Sequence, residues 1–396
     1  MQSLIWFLIC GMCACAYAQL VAVATDLVPL NLTETPTPTP SEPGIWRQSR
    51  RRSTLADSCT TNGGATGTCL TRFKCMRQGG TVNGYCGTYG VCCETNMACG
   101  TTTRLKRTII RNPATFASDT CQYTIEAFSA NVQQLRIDFE QFELPQPVAS
   151  ATDERMLECR DYFEAADFKL CGVNAGQHLY LPFNVAAGID QLTLTFVVPT
   201  RWSQTNWRLI VTQLEGPQVS SRRRMTPFGG SNSLQDLRNI FASHHADYEL
   251  LAPAGCHQYY TELTGNIRSF NYQPSMGFPY MSDTSYTICI KSTPSASMIE
   301  YNFSKFSMSV QTDEVEGYDE ACHATVHTTG RQEDYLLIPQ SMLTKNPAYQ
   351  PTYYCGTNDN LIVIASPPYM LHFSSDDMTL EAAQETGFSL TYRLRT

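Results

Sequence analysis

Short stretches of this chain alternate between apolar and polar residues, the pattern of β-strands with one buried face. Residues 134–139 alternate with period two, lose the phase at residues 140–141 and regain it from Phe142, which predicts a strand interrupted by a β-bulge. Residues 360–364 are almost continuously apolar, as in the central strand of a sandwich. Sustained helical periodicity is absent. The pattern therefore predicts an all-β fold with two consecutive β-sandwich domains.

A segment of different composition separates the two halves. Residues 217–233 are rich in Pro, Ser, Gly and Arg, which marks a break between domains. From Ser233 onward apolar residues recur at helical spacing after a pattern that resembles a capping box. We therefore expect a linker with one short helix at 216–252, between a first sandwich at 99–215 and a second sandwich at 253–396.

The N-terminus has the features of a secretion signal. Residues 4–15 are apolar, and the small residues Ala16 and Ala18 precede an expected cleavage before Gln19. Residues 1–18 are therefore predicted to be a signal peptide, and the protein is predicted to be secreted and extracellular. No later stretch is long and apolar enough to cross a bilayer, so no transmembrane segment is expected.

The segment that follows the signal peptide, residues 19–58, is predicted to be disordered, because its Thr- and Pro-rich composition cannot build a packed core. N-glycosylation sequons begin at Asn31 in this segment and at Asn302 in the second sandwich. Arginines dominate a cluster at 47–52, which is either a solvated charge run or a cleavage site for a proprotein convertase.

Six cysteines occupy residues 59–93, with gaps of 9, 5, 10, 5 and 0 residues between them. A module of about thirty-five residues buries too little apolar surface to fold unaided, so we expect disulfides to hold this knot together. Zinc is the alternative, but Cys-x2-Cys pairs and neighbouring histidines are missing from the knot. Of the 17 cysteines, those beyond the signal peptide are even in number, which permits complete pairing.

The cysteines of each sandwich follow an order that resembles the CUB domain, an extracellular β-sandwich. In the first sandwich the resemblance is carried by the pairs Cys99-Gly100 and Cys171-Gly172. In the second it is carried by Cys355-Gly356, by the motif D-Y-L-L-I from Asp334 and by G-F-S-L-T-Y from Gly387. We therefore expect two CUB-type, jelly-roll-like β-sandwiches after a small disulfide-rich module.

The knot resembles an arthropod clip domain through its terminal doublet Cys92-Cys93, and the whole arrangement resembles secreted arthropod CUB proteins. The interdomain motif A-P-A-G-C-H-Q-Y at 252–259 supports the second resemblance. These resemblances imply that every mature cysteine pairs within its own module. The implied bridges are Cys59–Cys92, Cys69–Cys86, Cys75–Cys93, Cys99–Cys121, Cys159–Cys171, Cys256–Cys289 and Cys322–Cys355.

The sequence contains no recognisable catalytic motif. Clip domains often precede trypsin-like proteases, yet Gly-Asp-Ser-Gly-Gly, Ala-Ala-His-Cys and Gly-x-Ser-x-Gly do not occur here. His323 and His327 are four residues apart but lead into a predicted strand, where this spacing does not favour a shared metal. We expect that the protein is not an enzyme; the alternative is an enzyme without a known motif.

Many CUB domains bind Ca²⁺ through a Tyr, a Glu and two Asp, and the resemblance places the two aspartates of the second sandwich at Asp334 and Asp376. The position expected for the Glu, near residues 306–309, holds no acid. In the first sandwich Asp161 is present, but Pro145 stands where the Glu is expected. No cofactor is required, and calcium is an expectation for the second sandwich alone. Even without calcium, these two carboxylates would form a local negative site suited to a lysine or arginine of a partner. The alternative is structural, with Asp334 bonding loop amides and Asp376 capping a turn.

The net charge of −8 disfavours nucleic acid and anionic membranes as partners. The sequence instead favours a secreted, non-enzymatic binding or adaptor protein that presents CUB domains to extracellular protein partners. The alternatives are a regulator or cofactor of an extracellular serine-protease cascade and a structural component of matrix or cuticle. Copurification of a protease zymogen would favour the former, and insolubility without a stoichiometric partner the latter.

Cleavage at the arginine cluster predicts a secreted chain that begins near Ser53, whereas an intact cluster predicts one that begins at Gln19. N-terminal sequencing of secreted protein distinguishes the two. If the cluster is cut, changing Arg50, Arg51 and Arg52 together to alanine should block the cut without unfolding either sandwich, since no packing is expected there.

Overall fold

The computed structural model describes residues 58–152, 155–216, 247–274, 276–308, 316–322, 325–326, 330–331, 334–379 and 385–395. Several predictions fall outside these residues: the signal peptide, the segment predicted to be disordered except for Ser58, the arginine cluster and the linker helix. Asn31, His323 and His327 also lie outside them. Within the described ranges, no helix has the length and apolar character needed to cross a membrane.

The knot is a four-stranded antiparallel sheet with one short helix. Thr71 caps the helix by accepting the N–H of Lys74 at 3.3 Å, and Gly79, with a φ of +70°, turns the chain away after it. The elements are β1 (Ser58–Thr60), β2 (Thr66–Leu70), α1 (Arg72–Arg77), β3 (Thr81–Cys86) and β4 (Gly90–Glu94). In the sheet these strands lie in the order β1-β2-β4-β3.

The knot has a very small hydrophobic core. The buried cluster consists of Cys75, Val91 and Cys93, so most of it is bridged cysteine. Loss of one native disulfide from a domain of this size typically costs ~2–5 kcal/mol, which is enough to unfold it. The bridges present are Cys59–Cys92, Cys69–Cys86 and Cys75–Cys93, the same pairs that the clip resemblance implies.

The first sandwich consists of two five-stranded sheets, ordered β13-β12-β15-β8-β6 and β14-β9-β16-β7-β5, with β10 and β11 as a separate ribbon. A 3₁₀ turn covers Val185–Ala187. The strands are β5 (Asn96–Met97), β6 (Thr101–Thr103), β7 (Arg107–Arg111), β8 (Thr120–Glu126), β9 (Val132–Glu143), β10 (Val148–Ala149), β11 (Leu157–Glu158), β12 (Tyr162–Ala165), β13 (Phe168–Leu170), β14 (His178–Pro182), β15 (Gln191–Val197) and β16 (Asn206–Glu215).

The β-bulge predicted in the long strand of the first sandwich is confirmed. Arg208 of β16 lies opposite Gln141 of β9, and the next residue, Leu209, lies opposite Phe139, so Glu140 is left without a partner in the register. The extra residue keeps both Phe139 and Phe142 pointing into the core, where each is 1% exposed. The sequence phase slip therefore reflects a real irregularity of the sheet.

The second sandwich has a single continuous pairing path, β17-β19-β28-β24-β26-β20-β27-β25, with β29 joining β18 to β20. A 3₁₀ turn covers Asp319–Cys322. The strands are β17 (Gln258–Tyr260), β18 (Thr264–Arg268), β19 (Thr284–Ile290), β20 (Met298–Met308), β21 (Glu316–Tyr318), β22 (Thr325–Val326), β23 (Gly330–Arg331), β24 (Tyr335–Leu337), β25 (Ser341–Leu343), β26 (Tyr353–Thr357), β27 (Ile362–Ala365), β28 (Met370–Ser375) and β29 (Gly387–Arg395).

The apolar run at 360–364 forms a central strand, as predicted. It contributes β27, which pairs with β20 on one side and with β25 on the other. The chain as described is almost entirely β-structure, which confirms the predicted fold class. Within the sandwiches the bridges are Cys99–Cys121, Cys159–Cys171, Cys256–Cys289 and Cys322–Cys355, and none of them joins one sandwich to the other.

Buried polar side chains join the two sandwiches. Gln258 Nε2 donates to Gln177 Oε1 at 3.0 Å, and Gln177 Nε2 donates to the carbonyl of Ser269 at 3.1 Å. Gln258 and Ser269 are fully buried, and Gln177 is almost so. Beside them, Tyr180 N donates to the carbonyl of His257 at 2.7 Å. Since buried amides are costly to leave without partners, these bonds hold the two domains at a fixed angle.

A second group of contacts explains the Cys171-Gly172 pair. Val173 N donates to Asn271 Oδ1 at 2.9 Å, and Asn271 N donates to Asn174 Oδ1 at 2.7 Å. Gly172 has a φ of +70°, and a Cβ built on it would lie 2.0 Å from Asn271 Oδ1. Glycine is required at this position both by its backbone conformation and by the close approach of the second sandwich. We call the bonds of Asn174, Gln177, Gln258, Ser269 and Asn271 the interdomain polar ladder.

The last residues of the predicted linker, 247–252, pack against the first sandwich. Ala252 and Gln134 bond to each other twice, at 2.7 and 2.9 Å, and Tyr180 OH donates to the carbonyl of Leu250 at 2.9 Å. Leu250 and Ala252 are buried in a cluster that also contains Tyr180. This part of the connection is therefore fixed in the structure as a spacer between the domains.

The knot is also fixed to the first sandwich, through Arg208 of β16. The Arg208 guanidinium is 7% exposed and forms ion pairs with Glu94, at 3.7 Å, and with Glu140. Glu140 also accepts the N–H of Thr66 at 3.2 Å, and Arg111 pairs with Glu94 at 3.1 Å. Glu140, the residue left over at the β-bulge, thus serves as the attachment point of the knot.

A buried histidine at the interface between the sandwiches should make the stability of the fold depend on pH. His178 Nε2 accepts the N–H of Tyr259 at 2.9 Å. Burial lowers the pKa of His178 to about 3, helped by the neighbouring Arg136 and opposed by Asp138. Neutral His178 therefore stabilises the fold fully above about pH 6.5, and this contribution is lost as the pH falls from there toward 3, at up to ~1.4 kcal/mol per pH unit.

His178→Gln keeps a hydrogen-bond acceptor that does not titrate, so its free energy of unfolding should fall less steeply between pH 7 and pH 5. Urea unfolding at a series of pH values measures this slope. His372→Gln is the comparison: that ring bonds the hydroxyls of Ser285 and Thr287, and burial lowers its pKa too, but it is less buried than His178, so this substitution should change the slope less. Equal slopes for wild type and His178→Gln would contradict the prediction.

Candidate functional site

The two aspartates singled out in the second sandwich lie at one edge of its sheet. Asp334 immediately precedes β24, and Asp376 immediately follows β28. These strands are antiparallel neighbours, with Tyr335 opposite Ser374, so the start of one meets the end of the other. The sheet therefore brings together two carboxylates that are 42 residues apart in the sequence.

Asp334 is surrounded by protein hydrogen-bond donors. Its Oδ1 accepts the N–H of Asp376 at 2.7 Å, and its Oδ2 accepts the hydroxyl of Tyr280 at 2.5 Å. Burial raises the pKa of Asp334 well above its usual range, and the carboxylates of Asp376 and Glu385 raise it further, against these two hydrogen bonds. The buried carboxyl is therefore an anchor for the loop edge.

The positions of the two side chains match the structural alternative. Asp334 is 3% exposed, which leaves it out of reach of a partner. Asp376 is half-buried, and its Oδ1 accepts the N–H of Met378 at 2.8 Å, which caps the following turn. Asp161 of the first sandwich is similar, because its two oxygens accept the N–H and the hydroxyl of Thr200.

This arrangement of the loop edge does not fit Ca²⁺. The ion normally takes roughly six to eight oxygen ligands. In the described part of the chain, no three His, Cys, Asp or Glu side chains are grouped so that they could hold a metal ion. Calcium binding by Asp334 and Asp376 stays a prediction, and it would require the loop edge to rearrange.

Sequence reasoning did not identify Tyr280 and Glu385 as neighbours of Asp334. Tyr280 lies in the connection before β19, and Glu385 lies just before β29, where it is 2% exposed. Neither belongs to a local motif, because the fold brings them in from distant parts of the chain.

A cleft of about 320 Å³ opens beside this edge, between the two sandwiches. Leu157 N donates to Ser282 Oγ at 3.4 Å and Thr379 N donates to the carbonyl of Arg155 at 2.5 Å, so bonds between the domains hold its walls. Asp283 N donates to the carbonyl of Asp376 at 2.6 Å, which connects the cleft to the aspartate edge. The cleft is lined by residues 156–159 and 167–169 of the first sandwich and by residues 281–285 and 377 of the second.

The rim of this interdomain cleft is acidic. Glu158, Asp167, Asp283 and Asp377 are exposed there, and Lys169 is the one basic residue of the lining. The ammonium of Lys169 lies 4.2 Å from the centre of the Tyr162 ring. An excess of carboxylates at the mouth of a concave site attracts a cation and favours the side chain of lysine or arginine.

Asn302, the second sequon, lies on β20 with its side chain exposed, so this position is accessible to a glycosyltransferase. The hydroxyl of Ser304 in the same sequon donates to the carbonyl of Ser389 at 3.1 Å. Glycosylation at Asn302 stays a prediction.

The raised pKa of Asp334 predicts an effect of substitution on stability. Because folding favours the protonated form, ionisation of Asp334 lowers the free energy of unfolding as the pH rises above about 4. Asp334→Asn removes this cost and is expected to be at least as stable as wild type at pH 7, with a difference that shrinks toward pH 4. Thermal unfolding across this pH range measures it.

Asp377→Asn, at an exposed neighbour, serves as the control and should leave the pH profile unchanged. A clear loss of stability in Asp334→Asn at pH 7 without calcium would refute the assignment of Asp334 as a buried structural acid. Adding Ca²⁺ tests the remaining prediction, because a bound ion would stabilise wild type and not the variant.

Comparison with curated proteins gave no match. Solved structures that match this chain include the CUB1-EGF-CUB2 domains of rat MASP-1, at 14% identity over 74% of this chain and 99% of that chain, with a TM-score of 0.23. The CUB1-EGF-CUB2 domain of human MASP-1/3 has 15% identity over 74% and 100% of the two chains and a TM-score of 0.21. Residues 253–395 match the animal CUB domain family, so the second sandwich is a CUB domain.

Proposed function

We propose that this chain is a secreted, non-enzymatic adaptor that binds extracellular protein partners at the interdomain cleft. A CUB domain and many disulfides are typical of extracellular interaction modules. The observation that carries the proposal is the cleft itself, which is concave, acidic at its rim and built from both sandwiches. A site of this kind exists only while the two domains hold their relative orientation.

We further propose that the first sandwich is a second, divergent CUB domain and that the knot is a clip-like module, as in secreted arthropod CUB proteins. Both sandwiches begin with a short strand that pairs in parallel with the strand carrying the second cysteine: β6 with β8, and β17 with β19. Both also have a register shift in their longest strand, β9 or β20. These shared irregularities support a common ancestry of the two domains.

The chemistry of the cleft favours a lysine or arginine side chain as the inserted group. Apolar walls from Phe168 and Met281 can pack against the methylene stem, while Asp283 and Asp377 meet the charged end. The binding needs no metal ion, because the exposed carboxylates supply the charge directly.

Two of the three described histidines support a non-enzymatic function. His178 and His257 use a ring nitrogen to accept a backbone N–H, from Tyr259 and Thr287 respectively. Burial lowers the pKa of both rings. Histidines engaged in this way act as structural acceptors at the interface and are poorly placed to shuttle protons.

The double change Asp283→Asn, Asp377→Asn should weaken partner binding by about tenfold, equivalent to ~1.4 kcal/mol, through the loss of two exposed charges. The fragment 58–396, immobilised and exposed to extracellular fluid, would identify the partner by mass spectrometry. The affinity of the purified partner for wild type and variant is then measured at low and high salt, and salt should weaken only wild-type binding appreciably.

Asp190→Asn, Glu262→Gln is the matched control, since it removes two exposed acids outside the cleft. Equal affinities of the wild-type and the cleft variant, with both folded, would rule out the cleft as the binding site. A captured protease zymogen that binds through the cleft would identify the adaptor as a cascade regulator.

A further inference from the structure

Large exposed hydrophobic side chains are concentrated on the knot. Tyr89 is 92% exposed, Tyr85 83%, Phe73 76% and Met76 66%. A module of this size would gain stability from burying these residues, yet its core consists almost entirely of cysteine. Exposed apolar groups that are this large and this closely spaced in a small module mark an interaction surface.

The helix α1 and the edge strand β3 carry three of these residues, and Tyr89 lies in the turn between β3 and β4. Cys75 is the buried residue of α1 and ties it to the sheet, so Phe73 and Met76, three residues apart, share the outward side of the helix. Tyr85 lies directly opposite Val91 in the sheet, and Val91 packs in the cluster with Cys75. Residues directly opposite in antiparallel strands share a face, which places Tyr85 on the side of the sheet that α1 covers.

The same surface is positively charged. Arg72, Lys74 and Arg77 are exposed on α1, and residues 59–93 contain no Asp or Glu at all. The described residues provide no ion pair for these three cations. The basic charge of the knot contrasts with the net charge of −8 of the whole chain. We call Arg72, Phe73, Lys74, Met76, Arg77 and Tyr85 the α1 face.

We propose that the α1 face is a second binding surface, which docks a protein that offers an apolar hollow with an acidic rim. Tyr, Phe, Met and Arg are the residues enriched in the cores of protein interfaces, and the α1 face contains all four. Charge complementarity selects an acidic partner, because the cations at the edge of the face have no carboxylates of their own. This surface shares no residue with the interdomain cleft.

A protein is favoured over a lipid surface as the occupant. A helix of six residues is too short to lie in a membrane interface as an amphipathic anchor. The negative net charge of the chain also opposes approach to an anionic membrane.

The α1 face is preorganised for binding. The Cys75–Cys93 disulfide fixes the helix to its sheet, and the other two bridges close the rest of the knot. The knot is fixed to the first sandwich by Arg208, which pairs with Glu94, and by Glu140, which accepts the N–H of Thr66. A rigid surface loses little conformational entropy when a partner binds, which raises the affinity that a small contact can reach.

Selection of a displayed library of random peptides on the immobilised protein tests this proposal. The selected peptides should combine Asp or Glu with large apolar residues. A synthetic peptide of the most frequent sequence should bind wild type at least tenfold more tightly, by calorimetry, than Phe73→Ser, Met76→Ser, and more tightly than Arg72→Gln, Arg77→Gln. Binding to the arginine variant should be less sensitive to salt.

Leu263→Ser, Met298→Ser removes two exposed apolar residues outside the knot and serves as the control, which should bind the peptide like wild type. Disulfide mapping of each variant shows whether the knot is intact. The cleft variant Asp283→Asn, Asp377→Asn should also bind the peptide normally, which separates this proposal from the proposed function.

Three results would overturn the proposal: selected peptides without acidic residues, equal affinity of the peptide for wild type and the Phe73–Met76 variant, or no selected peptide at all. Two further measurements identify other occupants in its place. Binding to phosphatidylserine vesicles that is lost in the Phe73–Met76 variant would indicate a membrane. Concentration-dependent self-association in sedimentation, lost in the same variant, would indicate a second copy of the chain.

Discussion

The interdomain polar ladder is the interaction on which the arrangement of this molecule depends. Its amides are buried between the two sandwiches and bond across the boundary, as Gln258 Nε2 does with Gln177, while Gln258 Oε1 is buried without a hydrogen-bond partner among the described residues. If the domains separated, water would bond the exposed amides, at little cost. If one domain shifted against the other, the amides would stay buried without partners, at roughly 1–3 kcal/mol each. The ladder therefore specifies one orientation more strongly than it stabilises the contact. An apolar interface would tolerate several orientations.

This specificity decides whether the proposed binding site exists at all. The interdomain cleft has walls from both sandwiches, so a small rotation would close or flatten it. The packing of Phe139 against Phe270, with ring centres 6.4 Å apart, adds an apolar contact across the same boundary. The cleft is thus a property of the pair of domains, and neither domain alone would present it.

The sequence predicted those features that depend on neighbours along the chain. The β-bulge at Glu140 and the central strand β27 both follow from local apolar periodicity. The bridges in the structure coincide with those that the clip and CUB resemblances imply, which the sequence alone could not choose. The polar ladder could not be predicted, since Gln177 and Gln258 look like ordinary surface residues when their partners are unknown. Asp334 shows the same limit: its motif was visible, but its burial against Tyr280 depends on the tertiary fold.

The small core of the knot has a consequence for where the protein can work. Its fold depends on oxidised cysteines, whereas each sandwich has a large hydrophobic core that does not. In a thiol-rich compartment the knot would unfold first, and its exposed aromatic and basic residues would lose their arrangement. The β-sandwiches would remain folded. Reduction would thus remove the α1 face and spare the interdomain cleft. The thiol–disulfide balance of the surroundings therefore sets how many of the proposed binding surfaces the chain presents.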